Sequence, residues 1–176
     1  MRARELGIRV GDLSPGARGA ITDVEGVRVG HSTIVRGEGP LVVGEGPVRT
    51  GVTVVCPREG TQCDRLAVRA GIGLGRMGGG LSNGSGDIFF AFATGNRSMP
   101  RAGLAAPPAT VPLQMVTNKY MTPLFHAAAE ATEEAILNAL LAAGDMTGRD
   151  GITAYGLTPE LLLGALEEIR ASVPGT

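Results

Sequence analysis

The stretch whose residue types and order could make and break bonds is Asn83-Gly84-Ser85-Gly86-Asp87. A serine between two glycines leads straight into the apolar run Ile88-Phe89-Phe90-Ala91-Phe92. Two readings stand side by side. The first is a glycine-rich turn entering a strand, a common arrangement. The second is chemical. On a strained Gly–Ser peptide the serine hydroxyl attacks the preceding carbonyl, an ester forms, and its hydrolysis leaves Ser85 as a new N-terminus. The freed α-amine titrates at about 8 and takes the proton from its own hydroxyl. Glycine before the nucleophile removes the Cβ that would crowd the attack and permits the backbone angles it needs. Local features alone favour the turn. The serine is not a hydrolase elbow, because G-x-S-x-G needs glycine where Asn83 stands.

Other groups with chemical capacity are few. Gly73-Leu74-Gly75-Arg76-Met77-Gly78 spells G-x-G-x-x-G. A dinucleotide site needs that fingerprint after a strand and at the opening of a helix, whereas a helical pattern precedes it here. No acid follows at the expected distance on a strand end. His31 and His126 read as hydrogen-bonded structural histidines, one on a strand and one in a helix. Cys56 and Cys63 fit no common zinc spacing and read as reduced thiols. None of these motifs marks a metal or a cofactor site.

The elements that must position Ser85 follow from periodicity and punctuation. Ala20–Val24 and Val27–Val35 read as strands, with Gly37–Gly46 as a turn region. Val48–Cys56 is the strongest strand, dense in Val and Thr and stopped by Pro57. Thr61–Ala70 has a helical stripe of Cys63, Leu66, Ala67 and Ala70. Gly71–Gly86 holds eight glycines in sixteen residues, too many for a regular element. Asp87–Thr94 reads as a buried strand, Asn96–Pro108 as loop and Thr110–Thr117 as a weaker strand. A helix starts with Thr122 as N-cap and Pro123 at the first position, and ends at Gly144 as C′. Thr158-Pro159-Glu160 repeats the start signal for a last helix to Ala171. With no internal repeat or linker, the chain reads as a single domain, 1–176, in two segments, 1–84 and 85–176.

Composition narrows the function classes. The chain has 176 residues, 43% of them hydrophobic, which excludes wholesale disorder. Aromatics are 3% with no Trp, which argues against a protein that stacks single-stranded bases. A net charge of −1 leaves no electrostatic footprint for nucleic acid or an anionic membrane. Neither a signal peptide nor a membrane span is read from the sequence, so the expected location is the cytoplasm.

The sequence as a whole resembles the S58 family of self-processing peptidases, the DmpA-type L-aminopeptidase/D-esterases and β-peptidyl aminopeptidases. The motifs that carry the resemblance are Arg2-Ala3-Arg4-Glu5-Leu6-Gly7-Ile8, Gly19-Ala20-Ile21-Thr22-Asp23-Val24 with Gly26-Val27-Arg28-Val29-Gly30-His31, and Val48-Arg49-Thr50-Gly51-Val52-Thr53. Later in the chain they are Asn83-Gly84-Ser85-Gly86-Asp87-Ile88, Ala131 to Leu140, and Met146-Thr147-Gly148-Arg149. The resemblance implies an α/β fold, an αββα sandwich of Ntn-hydrolase-like architecture, here internally shortened. It implies self-cleavage between Gly84 and Ser85, with Ser85 as N-terminal nucleophile. It also implies a small peptide, amide or ester as substrate and a homo-oligomer, commonly a tetramer. Family members are longer, and the missing block falls after about Gly60 and before Thr61 to Asp64. In the family that block supplies a tyrosine and an asparagine that have no counterpart here. The family's small hydroxyl residue with an acid two positions on aligns best with Thr117 and Lys119, the acid being replaced by lysine. Thr132, Glu133 and Glu134 are the alternative for that pair. The alternative function is a catalytically inactive structural or assembly homologue.

Overall fold

The computed structural model describes residues 1–56, 64–80, 83–84, 86–92, 95–96 and 110–172. Element order is β1 (Arg28–Arg36), β2 (Val48–Cys56), α1 (Asp64–Arg76), α2 (Met121–Ala142), β3 (Met146–Thr147), β4 (Thr153–Ala154) and α3 (Pro159–Ser172). Short 3₁₀ turns cover Ala3–Leu6, Ile21–Asp23, Asn118–Tyr120 and Arg149–Gly151. Strands β1 and β2 pair with each other, and β3 pairs antiparallel with β4 through Met146↔Ala154 and Thr147↔Thr153. The chain divides into two compact units, one of residues 1–10, 31–52 and 134–176, the other of residues 11–30 and 53–133.

The first unit is tied largely by polar groups. Ala3 is fully buried, and its N–H donates to Asn138 Oδ1 at 2.8 Å. Beside it the Arg4 guanidinium grips both oxygens of Glu134, at 2.7 and 2.9 Å from Nε. Together these dock the first 3₁₀ turn on the second half of α2, where Leu137 is also buried. Arg49, on β2, donates to four carbonyls: Thr147 at 2.9 Å, Arg36 at 3.2 Å, Gly37 at 3.1 Å and Val48 at 2.8 Å. It thus joins the end of β1 to the β3–β4 hairpin. α3 begins where Thr158 Oγ1 accepts the Leu161 N–H at 3.3 Å, the N-cap expected from Thr158-Pro159-Glu160.

Because Arg49 serves carbonyls that would otherwise need water, Arg49→Met is expected to lower unfolding free energy by about 1–2 kcal/mol. Urea unfolding of the two proteins checks this. Coincident midpoints would show that water replaces the guanidinium without loss.

The second unit is built on a close crossing of α1 with the first half of α2. A Cβ placed at Gly73 would overlap the Ala129 carbonyl oxygen and come within 2.8 Å of Thr132 Cβ and 3.0 Å of the Glu133 nitrogen. Only glycine lets the two backbones approach this far. Arg76 of α1 then pairs with Glu133 of α2 at 3.3 Å. Glu130 reaches the other way, accepts the Leu13 N–H at 3.2 Å, and occupies the space where a Gly11 side chain would lie. Val27 and Ala129 are the buried apolar side chains of this unit among the described residues.

Several sequence expectations change. Ala20–Val24 is a 3₁₀ turn at Ile21–Asp23, because the Asp23 carboxylate accepts the Arg18 and Ala20 N–H groups and curls the chain back. The helix expected over Thr61–Ala70 starts at Asp64 among the described residues and runs on to Arg76, through Gly71, Gly73 and Gly75. Tertiary packing against α2 outweighs the low helix propensity of glycine there. It ends in a Schellman motif: Gly78 is left-handed at φ 82°, Gly78 N donates to Gly75 O at 3.0 Å, and Gly79 N donates to Leu74 O at 3.1 Å. The described parts of Asp87–Thr94 and Thr110–Thr117 form no strand. α2 starts at Met121, so Thr122 and Pro123 lie in its first turn; Thr117 is instead the N-cap residue of the 3₁₀ turn that feeds it. Gly144 follows α2 but is not left-handed. It lies beside Gly156, whose N–H donates to Asp145 Oδ1 at 2.8 Å.

Candidate functional site

Asn83 and Gly84 form an exposed turn that follows the α1 cap, and Ser85 lies outside the described residues. Gly84 is not in the left-handed region, and a Cβ built there would meet nothing within 4 Å among the described residues. Gly86 is equally open. Neither packing nor backbone angle therefore requires glycine at 84, in contrast to Gly73 or Gly78.

The chain from Gly86 to Phe92 has no regular secondary structure. Ile88 is 97% exposed and Phe90 74%. Phe89 turns toward α1, with its ring 3.5 Å from where a Gly71 side chain would begin. Phe90 and Phe92 face each other at 6.3 Å between ring centroids. This apolar run has the composition of a buried strand and no strand partner among the described residues.

Thr117 and Lys119 stand on the turn that opens α2, both exposed. The Thr117 carbonyl accepts the Tyr120 N–H at 2.9 Å, and Lys119 Nζ lies 5.8 Å above the Tyr120 ring. A lysine there is a donor and cannot accept a proton-bearing partner as the family's acid would. The alternative trio divides: Thr132 Oγ1 donates to the Ala128 carbonyl at 2.7 Å, while Glu133 and Glu134 pair with Arg76 and Arg4. All three therefore have structural duties on α2.

Asn96 is a residue that the sequence reading passed over as loop. Its Oδ1 accepts the Gln114 N–H at 2.9 Å and its Nδ2 donates to the Gln114 carbonyl at 3.1 Å. The side chain thereby imitates a strand neighbour and ties the segment after Phe92 to the one that leads to Thr117. An asparagine after Gly95 signals only a turn; its partner eighteen positions on is a tertiary choice.

The G-x-G-x-x-G stretch does not form a phosphate-binding loop. Gly73 and Gly75 lie inside α1, and Gly78 is its cap. His31 sits on β1, exposed, and His126 on α2, exposed. Cys63 lies outside the described residues. Among the described residues no cluster of His, Cys, Asp and Glu could hold a metal ion, and no helix is long and apolar enough to cross a membrane.

Comparison with known proteins places this geometry. The chain is 43% identical to β-peptidyl aminopeptidase BapA of Sphingosinicella microcystinivorans over 109 residues, 62% of this chain and 26% of that protein. It therefore spans about a quarter of that relative's length. The L-aminopeptidase D-Ala-esterase/amidase of Ochrobactrum anthropi, described as a variant of the Ntn hydrolase fold, superposes with a TM-score of 0.56 at 33% identity. That match covers 69% of this chain and 34% of that one. The PH0078 protein of Pyrococcus horikoshii OT3 superposes with a TM-score of 0.85 at 21% identity, covering 97% of this chain and 99% of that one. This last likeness concerns fold alone. The architecture is thus α/β and Ntn-hydrolase-like, as the resemblance implied. The model of peptidase family S58 matches residues 19–61 and 59–154, two stretches that meet where the missing block was expected. With both stretches together spanning most of the sequence, the chain belongs to peptidase family S58.

Proposed function

We propose that the chain is a self-processing serine aminopeptidase that cleaves its own Gly84–Ser85 bond. It would then release N-terminal residues from small peptides, amides or esters in the cytoplasm, as a homo-oligomer and without a cofactor. The observation that carries this reading is the Gly84 turn: an exposed glycine with open space around it among the described residues, directly before the serine, inside the stretch matched by the family model.

In processing, Ser85 Oγ attacks the Gly84 carbonyl carbon, and the C–N bond breaks as the C–O bond forms. Water then hydrolyses the ester, which leaves the Gly84 carboxylate and a free Ser85 α-amine. In turnover the same Oγ attacks the substrate carbonyl while the α-amine takes its proton and passes it to the leaving amine. Water attacks the acyl-serine, and the α-amine again takes and returns a proton. Thr117 is the candidate hydroxyl that positions this amine.

The second reading, an inactive assembly homologue, is favoured by one observation. Lys119 brings a cation packed on Tyr120 to the place where the resemblance expects an acid. Release of p-nitroaniline from amino-acid p-nitroanilides separates the two. The first reading expects saturable release. No release at high protein concentration removes it in favour of the second.

A further inference from the structure

We propose that the groove between α1 and α2 binds a small apolar monocarboxylate. Arg69 would take the carboxylate, and Ile72, Phe125 and Ala129 the hydrocarbon. The groove has a volume of ≈ 220 Å³. That is below the roughly 300–1,000 Å³ of sites for drug-sized ligands, so the occupant is small. Its floor is apolar, and Ile72 at its edge is 48% exposed, an apolar side chain that water now covers.

The charge argument rests on the two arginines of the groove. The Arg69 guanidinium carbon Cζ stands over the Phe125 ring, 4.3 Å from its centroid. Stacking uses the face of the guanidinium and leaves its in-plane N–H fork free to donate. Among the described residues no carboxylate pairs with Arg69. Arg76 is already matched by Glu133 at 3.3 Å, so among the described residues the groove presents one uncompensated positive charge. One charge selects a monoanion, and a planar fork selects a carboxylate. The Thr122 hydroxyl on the opposite helix offers a further donor.

The groove lies on another face of α1 from the one that Phe89 meets. Phe89 meets α1 at Gly71, roughly 130° around the helix from the residues that line the groove, at about 100° per residue. The proposal therefore stands without the peptidase reading, and its test measures binding alone.

Hexanoate and 3-phenylpropionate are titrated into the full chain by calorimetry, with hexanamide as the neutral control. Saturable binding of both acids is expected, with hexanamide at least about tenfold weaker, as befits a charge-assisted pair. Arg69→Gln is expected to weaken hexanoate binding about tenfold while the circular dichroism spectrum stays unchanged. Where that variant loses helix content, Arg69→Lys serves instead; it keeps the charge, loses the fork, and is expected to bind measurably less tightly. Absence of saturation, equal binding of acid and amide, or undiminished binding by a folded Arg69 variant would each overturn the proposal.

Discussion

Ser85→Ala is expected to leave the chain as one piece, whereas the parent protein is expected to resolve on a denaturing gel into fragments 1–84 and 85–176. Intact mass reads the result directly, since hydrolysis adds one water across the two fragments. The effect should be all or none, because alanine has no oxygen with which to attack the Gly84 carbonyl. The same change should abolish amidase turnover twice over: it removes the nucleophile, and it leaves the α-amine locked in a peptide bond where it cannot act as a base. Loss of a nucleophile in enzymes of comparable logic lowers kcat on the order of 10⁶-fold. A parent chain that stays whole, or a Ser85→Ala protein that still splits at the same bond, would end the self-processing claim. Ser85→Thr is a useful companion. It keeps a hydroxyl and adds a methyl, so slowed rather than abolished cleavage is the expected result.

The second large effect concerns stability and has opposite signs at two glycines of one helix. Gly73→Ala is expected to destabilise by roughly 2 kcal/mol or more, and Gly73→Val by more still. Alanine ordinarily gains about 1 kcal/mol over glycine in a helix. Here that gain is outweighed, because the new methyl would fall on the Ala129 carbonyl and the Glu133 nitrogen, backbone atoms that cannot swing aside. Gly75→Ala, two positions on, meets nothing within 4 Å among the described residues and is expected to stabilise by about 0.5–1 kcal/mol. Thermal or urea unfolding of the pair checks this, with Tm moving by roughly 2–4 °C per kcal/mol in a chain of this size. If both substitutions raise Tm, α1 and α2 do not cross at Gly73.

These two glycines also mark where sequence reasoning stops. In the sequence Gly73 and Gly75 are equivalent members of a glycine-rich stretch. Only the neighbour across the crossing tells them apart. The same stretch looked incompatible with a helix, since propensity is summed locally while the contacts that hold α1 come from α2, more than fifty residues away. Strand β2, by contrast, was legible to the residue, because Val48–Cys56 is dense in β-branched side chains and ends before Pro57. β1 was legible to within a residue at each end, and α3 through its Thr-Pro-Glu start. The run at 87–92 has the right composition for a strand, but a strand also needs a hydrogen-bonded neighbour, and composition does not supply one. The β3–β4 hairpin has two residues per strand and is too short for any periodicity to show. At the candidate site, the order Asn83-Gly84-Ser85-Gly86 drew attention to Ser85 but by itself favoured a turn, and the resemblance supplied the chemical reading; Asn96 was missed because its partner is distant in sequence.

The division of the chain into two units has a consequence for what a cut between Gly84 and Ser85 would do. Each unit draws residues from both sides of that bond: 1–10 and 31–52 with 134–176 in one, and 11–30 with much of 86–133 in the other. The links that hold them also straddle it, Arg4 to Glu134 and Arg49 to Thr147 in the first, Leu13 to Glu130 and Arg76 to Glu133 in the second. Cleavage would therefore release neither unit, and a gel-filtration column would see no change. It would alter the molecularity of folding instead. Before the cut, refolding is an intramolecular event with the partner segments held at high effective concentration by the chain. After it, two fragments must find each other, so recovery from denaturant becomes second order and falls with dilution. The intact chain would then be the form able to fold from scratch, and a cut form would inherit a structure that it would assemble poorly alone.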